Sequence, residues 1–235
     1  MTLQLATWAD LTSQRVEDLV PKGNNEFAHV WPGVLKAAHL FWAAQGSSRD
    51  SLEDTWSLLV FAAGNFKRPG GTQIQLLHTV PSEITDLVAS DRPSVCTFPL
   101  HGGVVRIARD DADTWRRLTD IKGIKVATAT TILSALWPDN HLIADVRDIS
   151  VAIALNWEQR DDDWLLPLKY PQAATWNWYS WLRDLVIQKA VELGLSMATV
   201  ERSLYFLDKN TRTTDKPEWS LYVERISRNL LAMEA

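Results

Sequence analysis

Apolar residues along this chain recur mostly at three- and four-residue spacing, the period of a helix that buries one face. That pattern predicts helices over Val30 to Ala44, Leu52 to Ala63 and Trp176 to Leu193. In the last of these, Trp178, Trp181, Leu182, Leu185 and Val186 form one stripe, with Arg183, Asp184 and Gln188 off it. Gly194 is placed to stop that helix, and Ser196 to cap the next, which carries Val200, Leu204 and Phe206. Two runs of strand-like composition, Ser94–Leu100 and Gly103–Ala108, flank Leu100-His101-Gly102-Gly103 and predict a small β-hairpin. Breakers gather at Lys67–Thr72 and Asp161–Pro171, and no repeat or low-complexity stretch is present. The expected fold class is therefore mostly α, in two helical lobes. The expected division is a helical lobe over 1–110, a central segment over 111–155, and a C-terminal helical segment over 156–235 packing on the first lobe. A single compact domain is the alternative.

Composition narrows the function classes. The 235 residues, 46% hydrophobic and 23% charged, suit a globular chain with a sizeable core. No uncharged apolar run reaches the ~18 residues of a membrane span, and the N-terminus has no basic n-region or convincing h-region. No membrane partner and no signal peptide are expected. Cys96 is the one cysteine. It rules out an internal disulfide, a Cys-based zinc cluster and a four-cysteine iron–sulfur cluster, and fits a reducing, cytoplasmic setting. His29, His39, His78, His101 and His141 lack metal-ligand spacing, so no metal site is expected. Nucleotide-binding glycine motifs are likewise missing. The net charge of −5 argues against nucleic-acid binding by bulk electrostatics. Locally the balance differs. Arg106, Arg109, Arg116, Arg117, Lys122, Lys125 and Arg147 lie in one part of the chain, while Asp161, Asp162 and Asp163 lie elsewhere.

Those cations surround the stretch Leu118 to Asp148. Asp111 or Asp113 can cap a helix through Trp115, Leu118 and Ile121. Gly123 then permits a tight reversal. A second helix, from about Lys125 to Leu136, carries Val126, Ala129, Ile132, Leu133 and Leu136 at helical spacing, and its small residues allow close helix approach. Free N–H groups at its start, with the positive end of the helix dipole, offer an anion site that reads no bases. Pro138 ends that pattern. His141-Leu142-Ile143-Ala144 then delivers Asp145 to the start of an amphipathic helix carrying Val146, Ile149, Val151, Ile153 and Leu155. An N-cap role accounts for Asp145, with Asp148 favourable in the first turn.

The same stretch resembles the helix-hairpin-helix motif and following aspartate of the HhH-GPD superfamily of DNA glycosylases. That pattern runs roughly L-x-x-[LI]-x-G-[VI]-G-x-[K/other]-x-A, with a catalytic aspartate about twenty residues later after a small apolar run. Leu118, Ile121, Gly123, Ile124 and Ala129 match, as does the Ile143-Ala144-Asp145 arrival; the resemblance covers about 30 of the 235 residues. It implies an 8-oxoguanine-glycosylase-like, two-lobed helical fold. The implied catalytic residue is Asp145, with Lys122, Gly123, Ile124, Lys125, Val126 and Arg147 at the DNA backbone. Two departures stand out. Lys125 replaces the second hairpin glycine, and Ala127 occupies the position where bifunctional members place a Schiff-base lysine. Unless Lys122, Lys125 or Lys169 substitutes, the resemblance implies a monofunctional enzyme that leaves an abasic site without cutting the strand.

The implied partner is double-stranded DNA containing a modified base, bound by a monomer. No cofactor is expected beyond a monovalent cation at the hairpin backbone. The base itself stays open between a hypermodified phage base, such as glucosylated hydroxymethylcytosine met by a bacterial anti-phage member, and an 8-oxoguanine-type repair substrate. Twelve tryptophans mostly suit core packing, but an indole face also stacks on bases and sugars. Trp157, Trp164, Trp176 and Trp178 are the candidates for such a pocket. Two non-enzymatic alternatives remain: a DNA-binding module that uses only the hairpin, and a helical adaptor whose tryptophans face a protein.

Overall fold

The computed structural model describes residues 7–20, 31–65, 92–100, 103–110, 112–157 and 176–211, together with 222, 225, 226, 228, 229 and 232. Val30, the breakers at 67–72 and 161–171, His29, His78, His101, Asp111, Trp164 and Lys169 lie outside them. Among the described residues the chain is mostly helical, with one two-stranded sheet. No described helix is long and apolar enough to cross a membrane. The chain divides into two compact units, Lys22–Ile143 and Met1–Pro21 with Ala144–Ala235.

The first unit is built on helices α2 (Trp31–Ala43), α3 (Arg49–Asn65), α4 (Ala112–Thr119) and α5 (Val126–Leu136), with strands β1 (Val95–Leu100) and β2 (Gly103–Ala108). Helix α5 is its centre, because its sequence VATATTILSAL is apolar or small all round and α2, α3 and α4 pack on it. Phe41, Trp56 and Phe98 stack in sequence, with ring centroids 5.5 Å and 4.5 Å apart, and join α2, α3 and β1. The strands pair antiparallel from Val95 with Ala108 to Leu100 with Gly103. Gln45 completes the edge of β1 as a strand would. Its amide donates to the Thr97 carbonyl at 3.0 Å and its oxygen accepts from the Thr97 N–H at 2.8 Å. The Thr114 hydroxyl accepts from the Ala108 N–H at 2.9 Å, tying the end of β2 to α4.

Arg92 closes the other end of α5. Only 6% exposed, its guanidinium donates to the carbonyls of Ala135 and Leu136, two of the acceptors a helix C-terminus leaves open. Burial lowers the pKa of this group from its ordinary value, and the nearby Asp139 carboxylate opposes that shift.

The second unit contains α1 (Ser13–Leu19), α6 (Val146–Leu155), α7 (Trp176–Leu193) and α8 (Met197–Thr211). Helix α8 is its centre, packed by α1, α6 and α7. The bounds of α7 coincide with those its periodicity predicts, but its buried face is broader than the expected stripe. Trp178, Tyr179, Leu182, Val186, Lys189 and Ala190 are buried, while Trp181 and Leu185 are only partly so. Gly194 ends α7 with φ +66, a conformation that favours a residue without Cβ, and the Leu195 N–H returns to the Ala190 carbonyl at 2.9 Å. Ser196 accepts from the Thr199 N–H at 3.1 Å, capping α8 as expected.

Candidate functional site

Helices α4 and α5 are joined by the turn Asp120 to Lys125. Its hydrogen bonds run from the Ile121 N–H to Leu118 at 3.3 Å and from the Ile124 N–H to Ile121 at 3.0 Å. Gly123 takes φ +95, the left-handed conformation in which a side chain is strained. A Cβ built at Gly123 meets nothing within 4 Å, so backbone conformation rather than space selects glycine there. Ile124 and Val126 are buried and pin the turn, while Lys122, Gly123 and Lys125 are exposed.

Lys125 is the N-cap of α5 in extended conformation, and its side chain supplies no cap. Among the described residues the N–H groups of Gly123, Lys125, Val126, Ala127 and Thr128 donate to no backbone carbonyl. The turn therefore presents a set of open N–H donors, the positive end of an eleven-residue helix and two lysine side chains in one place. Replacing glycine by Lys125 leaves the turn intact, because φ there is −112 and suits any residue. Ala127, in the first turn of α5, is partly buried.

The other local cations are mostly engaged. Arg116 and Arg117 share Asp113, with the closest approaches 2.9 Å and 3.9 Å, and Arg109 meets Asp110 at 3.0 Å. Among the described residues Arg106, Lys122 and Lys125 form no ion pair.

His141, fully buried, has Nε2 2.7 Å from the Arg109 carbonyl. A carbonyl can only accept, so Nε2 carries the proton and donates. This bond ties His141 to the end of β2.

Asp145 begins the second unit's helix α6 as its N-cap, partly buried and extended at φ −110. It forms a capping box with Asp148, whose carboxylate accepts from the Asp145 N–H at 3.0 Å. Asp148 is buried, and the dipole of α6 favours its negative charge. The expected N-cap is thus present, and it sets the Asp145 backbone whatever else the carboxylate does.

Arg147 turns toward α8. Its Nη1 donates to the Tyr205 hydroxyl, its Nε lies 3.9 Å from Asp208, and its guanidinium stands 4.6 Å from the Tyr205 ring centre. Of the four pocket tryptophans, Trp164 lies outside the described residues. Trp178 is 4% exposed and belongs to the core. Trp157 and Trp176 are partly exposed, and the Arg183 guanidinium lies 5.4 Å from the Trp176 ring centre. Among the described residues no group of three or more His, Cys, Asp or Glu side chains could hold a metal ion. Comparison of the chain with protein-family models, curated proteins and solved structures finds no match in any of the three.

Sequence reasoning missed Tyr205 and Asp208. A signal was present: Val200, Leu204 and Asp208 share one face of α8, so an acid sits on an apolar stripe and needs a cation. Arg92, by contrast, stands in no motif or periodic pattern.

Proposed function

We propose that the chain is a monofunctional DNA N-glycosylase of the helix-hairpin-helix (HhH-GPD) kind, acting on duplex DNA that carries a modified base. The hairpin at Gly123 holds a backbone phosphate through its open N–H groups, with Lys122 and Lys125 adding charge. The target nucleotide leaves the stack so that its N-glycosidic bond becomes accessible. As that bond breaks, the base departs with the electron pair and positive charge develops on the deoxyribose. The Asp145 carboxylate stabilises that charge and takes a proton from the water that attacks C1′, then yields it to solvent as the departed base takes up a proton from solvent. The products are the free base and an abasic site. With Ala127 at the nucleophile position, no Schiff base forms and the strand stays whole.

The observation that carries this reading is the hairpin itself. A positive-φ glycine, an uncapped helix start and flanking lysines occur together in the chain segment that leads to Asp145. Whether the modified base is a sugar-decorated phage base or an 8-oxoguanine-type lesion is decided by the duplex on which base release is seen. A second reading follows from the capping box. If helix capping is all that Asp145 does, the chain is a DNA-binding module that uses only the hairpin.

The test is incubation with duplexes carrying oxidised, alkylated or glucosylated bases, followed by alkaline cleavage. Alkali-dependent breaks on at least one duplex, with no borohydride-trapped adduct, are expected. Salt-sensitive binding without any abasic product would select the second reading.

A further inference from the structure

We propose that Arg147 is a positioning residue for Asp145, held by Tyr205 and Asp208, and not a phosphate contact; this rests on the glycosylase reading. Arg147 occupies the second position of α6, next but one to Asp145. A cation there faces the positive end of its own helix, which is unfavourable unless an acceptor compensates. Asp208 supplies that acceptor. Its side chain is 1% exposed, so its charge is in turn dependent on a counter-charge. Tyr205 completes the arrangement with its hydroxyl and its ring face. Lys209, 6.0 Å from the Tyr205 ring centre, and Phe206, edge-on at 5.3 Å, also pack about this ring.

Two tethers thus act on one helical turn. Asp148 holds the Asp145 N–H, and Arg147 holds the same turn to α8. Together they fix the direction in which the Asp145 carboxylate leaves the backbone. A carboxylate that must meet charge developing at one sugar carbon gains from being held so, because small displacements lower the rate without weakening DNA binding.

Three measurements on the full chain separate the possibilities: amide hydrogen exchange, DNA affinity against salt, and single-turnover base release. Tyr205→Phe removes the hydroxyl and keeps the ring, and Arg147→Lys keeps the charge and loses the planar fork. Both are expected to speed exchange at Ile149, whose N–H bonds to Asp145 at 3.0 Å, with exchange in α7 unchanged. Release at saturating DNA should fall about tenfold or more, with affinity and salt slope unaltered. If Arg147 instead contacts phosphate, Arg147→Lys will resemble wild type, Arg147→Ala will lower the salt slope by about one, and exchange will not move. That result, or unchanged exchange in Tyr205→Phe, overturns the proposal. Absence of base release by wild type overturns the glycosylase reading instead, with the exchange data still deciding whether the anchor exists.

Discussion

At the scale of single residues, Gly123 has the clearest consequence. Because a Cβ there meets open space, Gly123→Ala should cost only the left-handed conformation, about 1 kcal/mol. Melting should show a loss of roughly 2–4 °C. An unchanged melting temperature would mean that the turn relaxes freely. Cys96 supplies a pH dependence. Its burial pushes the thiol pKa well above the ordinary value, so the folded protein keeps the proton at pH values where the unfolded chain loses it. Stability from this group is intact below the unfolded pKa, near 8.5, and is lost as pH rises past it, by about 2 kcal/mol at pH 10. Wild type should therefore lose more stability between about pH 8 and pH 10 than Cys96→Ala does, as read by denaturant titration. Equal losses would contradict that placement. Gly123 and Asp145 were legible in the sequence because each satisfies a local backbone demand, a positive φ in one case and an N-cap in the other. Arg92 and His141 were not, because their partners are carbonyls at Ala135, Leu136 and Arg109, and a sequence does not mark which carbonyls stay open.

At the scale of elements, the hairpin makes the prediction. Lys122 and Lys125 are exposed beside the open N–H groups and form no ion pair among the described residues. Replacing both with alanine should lower the slope of log affinity against log salt by about two, without altering the fold. An unchanged slope would remove the hairpin from the DNA contact. The helix expected over Leu52 to Ala63 runs longer, from Arg49 to Asn65. The ends of α7 were legible, down to its Gly194 stop, although its buried face is broader than the expected stripe. The broader burial of α5 and α6 was less so, since a helix apolar on every side carries no stripe to say what packs on it. The expected strands pair over 95–100 and 103–108, but the Gln45 amide that completes the edge comes from the turn after α2, about fifty residues earlier in the chain, and left no local trace.

At the scale of the whole molecule, the net charge of −5 does not conflict with the proposed phosphate contact, because open N–H groups at a helix start act locally. The division between Ile143 and Ala144 falls inside the apolar run Leu142-Ile143-Ala144, which has no linker composition to mark it. The mostly helical class could be read from periodicity alone. The substrate base could not, since residues that would line a base pocket come from separate parts of the chain and share no local pattern. The central claim is that Asp145 acts on the glycosidic bond as well as capping α6. Asparagine caps a helix about as well as aspartate but carries no charge, so Asp145→Asn separates the two roles. The deciding measurement is single-turnover base release by wild type and Asp145→Asn on a duplex with a modified base, alongside DNA affinity and melting temperature. Release by wild type is expected, with a loss of roughly 100-fold or more in the variant and nearly unchanged affinity and melting. Equal release by the two proteins, or none by wild type on any duplex, would contradict it.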